Sequence, residues 1–308
     1  MSEGLVDFND ALNNIIKKST QCTNPVIPLF IISYGPMGSG KSGNKDGSYG
    51  TVLEMENIVE TNCVEDLVTN LNNNRTSIKG TETKTDNIVT VNLDNTIRYL
   101  KDNNLVENDI EFKEVRKIAD PLTSWLLSYC LNSRLNVLWE TTGESITWMN
   151  REISRIRKLG YKIVLFYPIV LFNQVRERVL TREKNTGQPA SSVELHTNQY
   201  LAAPLNFLKI IEYIENGSGP DVVYLFDNNS PFTKPITKPS LLLRYENLPI
   251  KHDHWGIESS IILEKSKIEK LMKAINNEKP IGTLFEQNKD PNKNINMMLN
   301  VLLKIKGN

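Results

Sequence analysis

Gly35-Pro-Met-Gly-Ser-Gly-Lys-Ser42 satisfies the pattern G-x-x-x-x-G-K-[ST] at every defined position. Glycines in such a loop let the backbone wrap around phosphoryl oxygens with its N–H groups pointing inward. The lysine then reaches the β- and γ-phosphates, and the final hydroxyl holds Mg²⁺. Gly35, Pro36, Met37, Gly38, Ser39, Gly40, Lys41 and Ser42 are therefore the candidate nucleotide-binding set, with ATP and Mg²⁺ as the cofactors they imply. The competing reading, a glycine-rich turn with a solvated lysine, leaves unexplained why the pattern directly follows a buried apolar run. Gly43, Gly47 and Gly50 come next; each glycine costs a helix about 1 kcal/mol relative to alanine, so only a short helix is expected after Lys41.

Three acidic residues fall at the ends of expected strands, where parallel sheets gather ligands. Asp94 is a candidate general base for a substrate hydroxyl, or else the cap of the helix that follows. Glu140 is placed to orient Mg²⁺ or its water and to line the substrate site, or else to bond a neighbouring loop. Thr142, in Thr141-Thr142-Gly143, exposes a hydroxyl at the same rim. Asp227, with Asn228 and Asn229, reads better as a turn. The segment Leu171–Glu183 carries Arg176, Arg178 and Arg182, and helical phase puts Arg182 about 20° from Val175, on the apolar side. An inward guanidinium needs an anion, and at a phosphate site it stabilises transferring charge. His252 and His254, with His196 far upstream, lack the ligand spacing of a metal site, so surface or hairpin roles are expected of them.

Positioning these groups requires short apolar strands alternating with amphipathic helices. Pro28–Tyr34, Ile88–Leu93, Leu135–Trp139, Tyr161–Tyr167 and Asp221–Phe226 read as strands. Helices are expected over Val6–Lys18, near 52–59, over Glu114–Leu131 with a kink at Pro121, around Ile146–Ile156, and over Leu171–Glu183. A capping box at Ser191-x-x-Glu194 opens another to about Ile214. Asn70–Asp86 reads as a surface loop. Residues 231–252 suggest a hairpin, and Glu258–Asn277 and Asn292–Lys306 suggest helices. The alternation implies an α/β fold of the P-loop NTPase type: a parallel sheet of about five strands with helices on both faces, plus a C-terminal hairpin and helices. The division expected is an N-terminal helical segment (1–24), a P-loop domain (25–230) and a C-terminal extension packed on that domain (231–308).

Composition narrows the function classes. Lys and Arg together number 36 and so do Asp and Glu, so no net field attracts a polyanion and nucleic acid is not the expected partner. No apolar run approaches the ~20 residues of a membrane helix, and Met-Ser-Glu-Gly lacks a signal-peptide layout. Cys22, Cys63 and Cys130 are too few and too dispersed for a disulfide framework. A soluble cytoplasmic protein acting on a small molecule is the expectation.

Taken in order, the phosphate loop, Asn92-Leu-Asp-Asn-Thr-Ile-Arg98, Trp139-Glu-Thr-Thr-Gly143, Gly160-Tyr-Lys-Ile-Val-Leu-Phe-Tyr167, the arginine helix, Asn185–Ser192 and Val222–Asn228 resemble the zeta toxin family of P-loop kinases. The resemblance implies ATP- and Mg²⁺-dependent phosphorylation of a small molecule; bacterial members act on a sugar hydroxyl of UDP-N-acetylglucosamine. It further implies Asp94 as base, Lys41 as phosphate clamp and Arg176 as one of two phosphate-binding arginines. The second family arginine would precede the helix near Ser191, where this chain has Gln188-Pro189. Either Arg182 substitutes for it or transfer is impaired. An antitoxin-like protein partner is compatible with the family. Competing readings are a nucleotide or nucleoside kinase, and a nucleotide-binding module without catalysis.

Overall fold

The computed structural model describes residues 27–41, 89–107, 109–186, 192–229, 239–248, 258–278 and 290–305. The expected N-terminal helix, Ser42, the glycines after it, the segment near 52–59, the Asn70–Asp86 tract, Gln188 and the His252–His254 pair lie outside the described residues.

Among those residues the strands hydrogen-bond in the order β2-β3-β1-β4-β5-β6-β7. They are β1 (Leu29–Tyr34), β2 (Val89–Val91), β3 (Val137–Thr141), β4 (Lys162–Ile169), β5 (Val222–Asp227), β6 (Ser240–Leu248) and β7 (Glu258–Leu263). The five strands expected from the sequence are all present. β2 pairs with β3, and β4 with β5, in parallel, a pairing that needs the long helical crossovers joining them. β6 and β7 add an antiparallel hairpin on the β5 side. Residues 258–263 were expected to begin a helix and instead form β7. Its two isoleucines are β-branched, the segment is too short to show a helical stripe, and pairing with β6 satisfies its backbone. β1 is buried at all six positions and is flanked by β3 and β4, so the loop leaving its carboxyl end occupies the place where such sheets take ligands.

Two compact units divide the chain. The first comprises 1–31, 54–140 and 159–162. In it, α1 (Leu93–Asp102) packs on α2 (Phe112–Asn132), which continues through Pro121. Leu100, Val115, Ala119 and Leu122 form its core, with Leu93, Ile97 and Ile118 packed against them. The Asn136 side chain accepts from the Leu29 N–H, tying the start of β1 to the base of β3.

The second unit comprises 32–53, 141–158 and 163–308. It holds α3 (Ile146–Lys158), α4 (Phe172–Thr186), α5 (Val193–Glu215), α6 (Lys265–Asn277) and α7 (Lys293–Leu302). The N-cap of α5 is Ser192, one residue later than the capping box placed it; its hydroxyl accepts from Leu195 N–H. Tyr34, Tyr167 and Phe207 pack ring on ring beneath the phosphate loop's strand. Desolvation pushes the Tyr34 and Tyr167 hydroxyls well above the usual phenol range, so both stay neutral. Tyr34 Oη donates to Ala203 O at 2.7 Å.

Candidate functional site

The loop begins as β1 ends. Gly35 N–H donates to Thr141 O at 3.1 Å, and Ser39 N–H turns back to Pro36 O at 3.2 Å. Gly40 has φ +84, and a Cβ there would lie 2.2 Å from Asn228 Nδ2. Only glycine fits, because Asn228 is pressed against the loop to donate to Ser39 O at 3.0 Å. The Ser39 hydroxyl is buried and has no hydrogen-bond partner among the described residues. Lys41 Nζ reaches back across the loop to Gly35 O at 2.7 Å and Pro36 O at 2.9 Å. The described part of the loop thus holds its lysine over its own mouth.

The arginine helix α4 closes on this loop through three different contacts. Arg178 is only 8% exposed; its Nη2 donates to Asn228 O at 2.9 Å and its Nη1 reaches Gly38 O at 3.5 Å. Half-buried Arg182 donates from Nη2 to Met37 Sδ at 3.3 Å, in keeping with the inward phase read from the sequence. Arg176 Nη1 lies 3.2 Å from His196 Nδ1, and His196 Nε2 lies 2.8 Å from Met37 O. A carbonyl only accepts, so His196 carries its proton on Nε2 and accepts from Arg176 at Nδ1. Burial lowers the His196 pKa from 6.5 to about 4, against the Met37 hydrogen bond and with help from the Arg176 and Lys41 charges. The imidazole is a neutral spacer between a guanidinium and the loop backbone.

In the first unit, β2 ends at Val91 and Asn92 caps α1, its side chain accepting from Asn95 N–H at 2.6 Å. Asn92, not Asp94, is therefore the cap. Asp94 stands exposed in the first turn, favoured there by the helix dipole. Asn92 Nδ2 also donates to Glu140 Oε2 at 3.1 Å, while Glu140 Oε1 is buried with no hydrogen-bond partner among the described residues. Glu140 lies within β3 rather than after it. In the second unit, Thr142 is half-buried at the turn that follows. Asp227 Oδ1 accepts from Asn229 N–H and Nδ2, the turn role read for it. No group of three or more His, Cys, Asp or Glu gathers as a metal site among the described residues.

His196 and Asn228 are the site residues that sequence reasoning missed. His196 was set beside His252 and His254 as a surface or hairpin residue, yet it is fully buried. A signal existed: His196, Tyr200, Ala203 and Phe207 recur at i, i+4, i+7 and i+11 along the apolar face of α5. Asn228 carried no such mark, since its role depends on where β5 delivers it.

The sequence model of the zeta toxin family matches residues 76–232, about half of the chain, beginning beyond the phosphate loop. Comparison with curated protein sequences finds no match. The crystal structure of AvrRxo1-ORF1:-ORF2 with ATP is similar at a TM-score of 0.57 and 10% identity, covering 96% of this chain and 83% of that one. The native AvrRxo1-ORF1:-ORF2 complex gives 0.57 at 10% identity, covering 99% and 90%. A structure from the PezAT chromosomal toxin-antitoxin system of Streptococcus pneumoniae gives 0.45 at 12%, covering 73% and 79%. The fold is that of the zeta toxin P-loop kinases. No described helix is long and apolar enough to cross a membrane.

Proposed function

The chain belongs to the zeta toxin family, and from that premise we propose that it is an ATP- and Mg²⁺-dependent kinase that phosphorylates a hydroxyl of a small polar molecule. The observation that carries this reading is the phosphate loop at the end of β1, closed upon by Arg176, Arg178 and Arg182 from one helix. Arg178 and Arg182 touch the loop directly and Arg176 reaches it through His196, and guanidinium groups beside a glycine-rich loop suit a polyanionic ligand.

The residues present fit a nucleoside triphosphate. Gly40 and the buried Ser39 hydroxyl, unpartnered among the described residues, form a cradle without side-chain bulk, and Lys41 has donors that can leave the Gly35 and Pro36 carbonyls for phosphoryl oxygens. Mg-ATP, when bound, supplies the transferable γ-phosphoryl group and partial neutralisation of its charge. On this reading Lys41 clamps the β- and γ-phosphates, and Arg176 and Arg182 stabilise the charge that builds during transfer. Asp94, exposed in the first turn of α1, accepts the proton of the attacking hydroxyl. Glu140, whose Oε1 has no hydrogen-bond partner among the described residues, and Ser42 would hold Mg²⁺ or its water. Thr142 and Glu140 would offer neutral and acidic contacts to the acceptor.

A nucleotide-linked sugar is the acceptor class proposed, with UDP-N-acetylglucosamine the first to test. The balanced charge of the chain gives no pull on RNA or DNA, and threonine and asparagine side chains suit sugar hydroxyls. An antitoxin-like protein partner belongs to the same proposal, supported by the AvrRxo1-ORF1:-ORF2 complex. A cytoplasmic location fits the use of ATP. The test is incubation with Mg-ATP and a metabolite panel, read by mass spectrometry, with Lys41→Ala as control. A UDP-sugar that gains one phosphoryl group, and does so only with Lys41 present, is the expected result. ATP binding with no phosphorylated product would refute the kinase reading in favour of a binding module. Label in protein or RNA alone would refute the acceptor class.

A further inference from the structure

Helix α4 carries all three loop-facing arginines, yet its own sequence supplies no N-cap: Val170 and Leu171 precede it. An uncapped, buried helix start leaves N–H groups without partners, which is costly. Two remote residues satisfy them instead. Asn229, just after β5, accepts from Leu171 N–H through Oδ1 at 2.7 Å. Glu278, just after α6 in the C-terminal extension, accepts from Asn173 N–H through Oε1 at 3.2 Å. The other Glu278 oxygen accepts from Asn292 Nδ2. Asn292 in turn accepts from Tyr200 Oη at 2.8 Å. Tyr200 lies one helical turn from His196 on α5.

We propose that Glu278 is a positioning residue for the site: by capping α4 from the C-terminal extension, it sets the axial position from which Arg176, Arg178 and Arg182 meet the phosphate loop. A carboxylate suits this place, since the N-terminal end of a helix carries partial positive charge. Burial raises the Glu278 pKa, opposed by the Asn292 side chain and by the Asn173 and Phe172 N–H groups; Asp290 adds a raising charge. Residues 278 and 292 lie outside the segment, 76–232, matched by the family model. The inference concerns the site described above and rests on the kinase reading only for its catalytic consequence.

The test uses the full chain with Glu278→Ala and the isosteric Glu278→Gln, read three ways. Hydrogen exchange of the 171–176 amides is expected to quicken at least about fivefold in Glu278→Ala while α5 keeps its protection. The side-chain Nε–H resonances of Arg176 and Arg178 are expected to shift or broaden. Transfer from Mg-ATP should slow by about 10–100-fold, with Mg-ATP affinity within about threefold of wild type. Glu278→Gln, which keeps an acceptor oxygen for Asn173, should restore the amide protection and the arginine signals; if the alanine variant does not fold, Glu278→Asp, whose carboxylate is one methylene too short to reach Asn173, is read in its place with the same expectations. Unchanged exchange and arginine signals in Glu278→Ala would overturn the proposal. So would a loosened helix with undisturbed arginine signals. Absence of transfer in the wild-type chain would defeat the kinase reading and leave the exchange and resonance results to decide this one.

Discussion

His196 offers a sharp thermodynamic test of the site, because a neutral imidazole must bridge Arg176 and Met37 for the geometry to hold. Its folded pKa is lowered from 6.5 to about 4. The native state therefore binds fewer protons than the unfolded chain between those values, and stability rises with pH across the window. The contribution is fully present above about pH 6.5, declines as pH falls, and is gone below about pH 4. At about 1.4 kcal/mol per pH unit, this contribution amounts to about 3 kcal/mol in all, of which about 2 kcal/mol is lost between pH 7.5 and pH 5. Urea unfolding of the wild-type chain and of His196→Gln across that range isolates the term. Glutamine can still donate to Met37 O and accept from Arg176 but has no proton to gain, and the remaining titratable groups cancel in the difference. The wild-type chain is expected to lose about 2 kcal/mol more than the variant on going to pH 5. Parallel curves for the two proteins would show that His196 is solvated or charged in the native state, and would refute the bridge.

Three other outcomes are expected. Gly143→Ala should destabilise the chain by about 3 kcal/mol or more in urea unfolding, since Gly143 has φ +76 and a Cβ there would lie 2.4 Å from the Tyr34 ring; a loss under about 1 kcal/mol would mean the turn relaxes freely. Arg178→Ala should lower the melting temperature more than Arg182→Ala, because Arg178 is buried on the Asn228 carbonyl, whereas Arg182→Ala should cost more in phosphate transfer than in stability; thermal melts and initial rates separate the two. Asp94→Asn should keep Mg-ATP affinity while slowing transfer ~10²–10⁴-fold, and a collapse of affinity with transfer intact would make Asp94 a metal or structural residue.

Local pattern determined much of this protein before any tertiary contact was known. The apolar run Leu29–Tyr34 followed by Gly35-x-x-x-x-Gly40-Lys41 placed a phosphate loop after a buried strand, because burial on both faces demands a continuous apolar strand and phosphate wrapping demands glycine. The five strands and the helices between them were legible for the same reason: each side chain reports which face of its own element meets the core. Even the inward phase of Arg182 followed from 3.6 residues per turn.

What the tertiary structure decided are the contacts between residues far apart in the chain. Asn228 braces Ser39 across a separation of 189 residues, and His196 reaches Met37 across 159. A polar side chain carries no periodic mark of its partner, so neither bond could be read from its own segment. Glu258–Leu263 shows the same limit, since six residues at the start of an amphipathic stretch suit helix or strand until β6 offers its edge. The cap of α4 is the clearest case. Its sequence lacks a capping residue, and only the folded chain brings Asn229 and Glu278 to the orphaned N–H groups, because satisfying a buried backbone donor is a requirement of the whole fold and not of the local segment.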